Sequence, residues 1–189
     1  MIIGIVLFPN NTVVIDNKEE KNSTRISTAI QYQHSDILFL KNNFTAFKEA
    51  LGFKESQGKY TAINTLGYLG KYQFGLTTLE RFQIRNAQAF LKNPELQEKA
   101  FYALCSVNKW ILRKDIRRTV STSINGIAIT ESGILAAAHL SGAGNVKKYL
   151  RSNGTYNPSD AYGSSIEHYM EKFAGYDLSE ITGNRTASI

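Results

Sequence analysis

Glu55 is the one acidic residue in the stretch "GFKESQGKYTAINTLGYLGKYQFG", residues 52–75, where helical periodicity gives way to glycines, tyrosines and amides. At about 100° per residue, Glu55 lies only about 20° round a helix from Phe44 and about 40° from Leu51, so its carboxyl follows the apolar stripe and points inward. A carboxyl at the rim of an apolar floor is poorly solvated, which favours its protonated form. That is what a general acid needs, and a glycosidic oxygen is a weak leaving group until something protonates it. The loop beyond Glu55 suits a saccharide cleft. Its glycines (58, 67, 70 and 75) let the backbone come close to a ligand, Tyr60, Tyr68 and Tyr72 can stack on sugar faces, and the amides of Asn64 and Gln73 can bond hydroxyl and acetamido groups.

If water is the nucleophile, a second carboxylate should lie near the first. The candidates are Glu80, Glu131 and Asp160, and each has a plainer role. Glu80 stands beside "RFQIR" and can partner a basic side chain. Glu131 follows Thr130 in the first turn of a helix, where a carboxylate suits the N-terminal dipole. Asp160, in "NPSDAYG", suits a turn. His34, His139 and His168 are far apart without metal-ligand spacing, so no metal is expected. His139 lines the cleft or packs within the core. The absence of a Walker loop, a Gly-x-Ser-x-Gly elbow and a dinucleotide fingerprint gives no cofactor. The single cysteine, Cys105, excludes an internal disulfide and a cysteine-built zinc site and reads as a small buried hydrophobe.

The elements that must position Glu55 are mostly helical. Asn43 can cap a helix over "FTAFKEALGFKES", and a second helix is expected over residues 77–91. "NPELQEKAFYALCSVNKWILRKDI" is the clearest helix, with Asn93 as cap, Pro94 in the first position, and Leu96, Ala100, Leu104, Val107 and Ile111 as an apolar core stripe. "TESGILAAAHLSG" should end at Gly142, and "NVKKYLRSNG" at Gly154. "SSIEHYMEKFAG" opens with a capping box of Ser164 and Glu167 and closes at Gly175. Strands are expected only near the N-terminus, in "IIGIVLF" and "TVVID", and in the loop over residues 60–73. The fold class is therefore α+β, mainly α-helical: an N-terminal β-hairpin or arm with a polar linker (residues 1–35), one domain (36–178) and a C-terminal tail (179–189).

Four ordered segments resemble a known family. "ESQGKYTA" and "GKYQFG" look like the Glu-Ser opening and the Gly-x-x-Gln segment of the goose-type lysozyme and soluble lytic transglycosylase family. "AAAHLSGAG" is similar to its Ala-Tyr-Asn-Ala-Gly segment, and "SIEHYM" to its last motif, which ends Tyr-Val. The wording resembles a branch found in phage-associated and secreted bacterial proteins. The resemblance implies a lysozyme-like fold and cleavage of the β-1,4 bond between N-acetylmuramic acid and N-acetylglucosamine, by a lytic transglycosylase or muramidase. Glu55 would be the acid and then the base, Ser56 would orient it, Tyr169 would hydrogen-bond near it, and Gln73 would contact substrate. Tyr60, Tyr72, His139 and Gly142 complete the expected substrate-binding set. This sequence departs from the family's pattern where His139 and Leu140 replace Tyr-Asn and where Ser165 replaces a Glu.

The net charge of +6 and pI near 9.3 imply attraction to an anionic partner. The densest basic run, "KWILRKDIRR" at residues 109–118, alternates with apolar residues at helical spacing and reads as a solvated helix face. Aromatic and basic residues do not alternate as nucleic-acid binding would ask, and no apolar run reaches the roughly 18 residues of a membrane span. The expected partner is the glycan strand of peptidoglycan, met by a monomer in the bacterial cell wall or periplasm. No secretion signal is recognisable, so delivery by phage, by a secretion apparatus or by an unrecognised leader is expected. An effector role would imply an immunity partner that plugs the cleft. The alternative reading is a non-catalytic module that binds cell-wall glycan or another anionic polymer.

Overall fold

The helix carrying Glu55, α1 (Phe44–Ser56), begins as its sequence asks: the side chain of Asn43 accepts from the Ala46 amide at 3.0 Å. Phe44, Phe47 and Leu51 are buried on one face. The helix stops at Gln57, which turns into the left-handed region at φ 58° while the Gly58 amide reaches back to the Gly52 carbonyl at 3.1 Å. The computed structural model describes residues 42–189. The expected N-terminal hairpin, the linker and His34 lie outside the described residues.

After α1 the chain forms an extended loop tied by bridges between Ile63 and Leu69 and between Leu69 and Phe74, the strand-like pairing expected there. The single helix expected over residues 77–91 is two: α2 (Leu76–Arg81) and α3 (Ala87–Leu91). Gln83 at φ 61° breaks the first, and Asn86 caps the second by accepting from the Ala89 amide at 2.9 Å. Neither Gly nor Pro marks the break, and Asn86 is the local signal of the new helix start.

The long helix α4 (Pro94–Thr119) is capped by Asn93, which accepts from the Leu96 amide at 3.0 Å. It runs through the middle of the core. Ala100, Phe101, Ala103, Cys105, Val107, Leu112 and Ile116 are buried, while Leu96, Leu104 and Ile111 of the expected stripe are partly buried at its edge. Arg113, Lys114, Arg117 and Arg118 are exposed, as a solvated basic face requires. A hairpin follows that was not expected, β1 (Ser123–Ile124) with β2 (Ile127–Ala128), turning through Asn125 and Gly126 at φ 52° and 85°.

The two helices expected on either side of Gly142 meet there at a kink, where Gly142 leaves helical geometry at φ 77° and ψ 149°, and are described together as α5 (Glu131–Arg151). Thr130 caps it on the Gly133 amide at 3.1 Å. The cap of α6 (Ile166–Lys172) is Ser165, on the His168 amide at 3.2 Å, and not Ser164. Glu167 closes no capping box, because its carboxylate accepts from Asn125 at 2.8 Å and from the Tyr149 hydroxyl at 3.0 Å. The backbones of α5 and α6 touch at Gly133, where any Cβ would overlap the Met170 carbonyl.

The expected C-terminal tail lies along α4. Ile181 is buried, the Ser106 hydroxyl donates to the Thr182 carbonyl, and Arg185 stacks over Trp110. Among the described residues no helix is long and apolar enough to cross a membrane.

Candidate active site

Glu55 sits half-buried in the last turn of α1, and the Tyr169 hydroxyl of α6 donates to its Oε1 at 2.8 Å. Tyr169 is 2% exposed. Burial pushes its hydroxyl far above the ordinary tyrosine range, and the Glu55 carboxylate beside it pushes in the same direction. The phenol therefore keeps its proton throughout the physiological range and always acts as donor. Oε1 is thereby occupied as an acceptor.

A groove passes this carboxylate. It consists of two adjoining hollows, of about 350 Å³ and about 410 Å³, which share Glu55, Asn64, Gln73, Asp160 and Tyr162. One wall is the loop after α1, with Ile63, Asn64, Thr65, Leu66 and Tyr68. The other is the bend of α5 with the loop that leads into α6. Asn64 shapes the first wall by accepting from the Leu66 and Tyr68 amides, both at 2.9 Å. Asp160 shapes the second in the same way, accepting from the Tyr162 amide at 2.9 Å and from the Ser164 amide at 2.7 Å.

Of the residues singled out in the sequence, Gln73, His139 and Tyr169 meet Glu55 at the groove. Gln73 donates through Nε2 to the Gly70 carbonyl at 2.8 Å, and its sheltered Oε1 has no protein partner. His139 is held against Phe74 and Phe101, with Nε2 bonded to the Tyr72 carbonyl at 2.8 Å. It serves both as cleft wall and as packed residue.

Other expected contacts are corrected. Tyr72 is fully buried, stacked on Phe101 with centroids 4.0 Å apart, and cannot stack on a ligand. The hydroxyls of Tyr72 and Tyr60 both donate to Glu98, at 2.9 Å and 2.8 Å. The Ser56 hydroxyl donates to the Lys71 carbonyl at 2.8 Å, so it fastens the end of α1 to the loop and not to the Glu55 carboxyl. Gly142 bends α5 between Ser141 and Asn145, which line the groove, and does not itself line it. Among the carboxylate candidates, Asp160 lies in the groove with Glu55. Glu131 is paired with Lys109 at 2.6 Å, and Glu80 is exposed on α2.

The group that holds the loop in place carries no signal in the sequence. Lys71 is 2% exposed, and its ammonium bonds Glu49 at 2.7 Å and Glu98 at 2.9 Å. Burial alone would raise the Glu98 carboxyl, but hydrogen bonds from Lys48, Lys71, Tyr60 and Tyr72 prevail and hold it at about 2. The Lys71 side chain crosses α1 at Gly52, where an added Cβ would come within 2.7 Å of its Cε. Gln97 completes the support, accepting from the Lys71 amide at 2.9 Å and donating to the Tyr60 and Phe90 carbonyls, both at 2.9 Å.

Compared with protein-family models, with curated proteins and with solved structures, the chain matches none.

Proposed function

We propose that this chain is a lysozyme-like enzyme that cleaves the β-1,4 bond between N-acetylmuramic acid and N-acetylglucosamine in the bacterial cell wall, with Glu55 as acid and then base. The observation that carries the reading is the half-buried Glu55 in an open groove, its Oε1 engaged by a tyrosine that keeps its proton. The four ordered family-like segments support it, and two of the residues they single out, Gln73 and Tyr169, lie beside Glu55.

In this mechanism the Oε2 proton of Glu55 passes to the bridging oxygen as its bond to the muramoyl anomeric carbon breaks. The carboxylate left behind then takes the proton of the muramoyl 6-hydroxyl, whose oxygen bonds to the anomeric carbon. The products are a free 4-hydroxyl on one fragment and a 1,6-anhydro sugar on the other, and water is not consumed. A single carboxylate suffices. Asp160 is assigned to the wall of the groove, because one of its oxygens already receives two backbone amides. The excess positive charge favours capture of an acidic wall. Replacing Glu55 with Gln tests the reading, since it removes the transferable proton and leaves the shape of the side chain.

A further inference from the structure

Beyond its bend, α5 lies beside α4 and runs in the same direction. Ala143 and Gly144 line one hollow with Val107, Asn108 and Ile111, and further along both segments Arg151 Nε reaches the Asp115 carboxylate at 3.2 Å. Two basic rows are thereby brought together. Lys114 and Arg118 stand one turn apart on α4, as do Lys147 and Arg151 on α5, and each such turn advances about 6 Å. Asp115 fastens the rows: it is 1% exposed, and its Oδ1 also accepts from Arg118 Nη2 at 2.8 Å. Each guanidinium gives one nitrogen to Asp115 and keeps its other donors for a partner outside. Asp115 is the only acid within residues 109–118 and 143–151, so the face stays strongly cationic.

We propose that this face, centred on Arg118, Asp115 and Arg151, binds a polyol-phosphate chain, a wall polymer in which phosphodiesters alternate with short polyols. Guanidinium forks fit phosphate oxygens, and the shared Asp115 fixes two of them before the ligand arrives. Cations repeating turn by turn suit a flexible chain whose charges repeat every few bonds. Two other anionic partners fit less well. A bilayer asks for apolar side chains to enter it, and none of the exposed large apolar side chains among the described residues belongs to either segment. A single-stranded nucleic acid asks for free aromatic faces, whereas Trp110 is stacked by Arg113 at 3.9 Å and by Arg185 at 5.3 Å. That the polymer belongs to the cell wall rests on the reading of the groove; its phosphate chemistry does not.

The test measures binding of a synthetic glycerol-phosphate oligomer to the full chain over a range of salt. Lys114→Gln with Lys147→Gln should weaken binding about tenfold to thirtyfold at 0.1 M salt and lower the salt slope by about 1 to 2. Lys92→Gln with Lys172→Gln removes the same charge from exposed positions elsewhere and should cost less than about threefold. Arg118→Lys with Arg151→Lys keeps the charge and the Asp115 pairing but loses the forks, and should weaken binding about threefold to tenfold. Equal losses from the two lysine pairs would mean that net charge alone attracts the polymer, and would overturn the face. No binding of the oligomer, or tighter binding to phosphatidylglycerol vesicles or to a single-stranded oligonucleotide at equal phosphate concentration, would overturn the partner. Cleavage of peptide-free glycan strands, which carry no phosphate, should be unchanged by Lys114→Gln with Lys147→Gln, so the failure of the anchor and the failure of the enzymatic reading are told apart.

Discussion

Tyr169 and Glu55, 114 residues apart in the chain, meet at 2.8 Å with the phenol as donor. In the proposed mechanism this hydrogen bond leaves the other carboxyl oxygen to deliver the proton and steadies the carboxylate that remains. A hydrogen bond to a charged group is worth about 1.5–3 kcal/mol. Tyr169→Phe should therefore lower the cleavage rate roughly tenfold to hundredfold, mainly in kcat, while the circular dichroism spectrum stays unchanged. A variant that loses substrate affinity and keeps kcat would show that Tyr169 only shapes the groove.

Asp160 is a wall residue in this account, so Asp160→Asn should be mild. The amide oxygen can still accept from the Tyr162 and Ser164 backbone. Cell-wall clearing within about threefold of the original rate is expected, roughly the effect of one weakened hydrogen bond. A loss approaching that of the Glu55 variant would make Asp160 the second carboxylate of a hydrolase.

The Glu98 network should appear in acid unfolding. The Glu98 carboxyl is held at about 2 in the folded chain against an ordinary 4.5, so the unfolded chain takes up the proton first as pH falls. Its contribution is complete above about 4.5 and fades toward about 2, where the folded form is protonated too. Urea denaturation followed from pH 5 to pH 2.5 should show a loss of up to roughly 3 kcal/mol from this group. Glu98→Gln should be less stable at pH 7 and lose less over the same range. An unchanged acid slope in that variant would remove Glu98 from the account.

Gly133 controls how closely α6 approaches α5, and α6 carries Tyr169. Gly133→Ala places a methyl against the Met170 carbonyl, and overpacking of this kind costs about 1–3 kcal/mol. A lower melting temperature is expected, with a loss of activity larger than the loss of folded protein, because Tyr169 moves with the helix. Full activity at full stability would mean that α6 yields without shifting the site.

Local features were legible in the sequence because their physics is local. Asn43, Asn93 and Thr130 cap the helices they precede, and Gly142 interrupts a helix where it was expected to. The Asn125-Gly126 turn is local in the same way, since both residues tolerate positive φ. The approach of Glu55 to Tyr169 came from the order of family-like segments and not from periodicity. The Lys71–Glu98 pair spans 27 residues and the hydrogen bond between the Thr65 and Tyr162 hydroxyls 97, and no short-range pattern encodes such meetings. Tyr60 and Tyr72 illustrate the same limit: composition marked them as aromatic platforms, yet a distant carboxylate draws their hydroxyls inward.

The most direct measurement is the mass of the fragments released from purified cell wall by the original protein and by Glu55→Gln. The original protein is expected to release 1,6-anhydro ends, one water lighter than hydrolytic products, and the variant none at equal folded concentration. Fragments released at an undiminished rate by the Gln variant would contradict it.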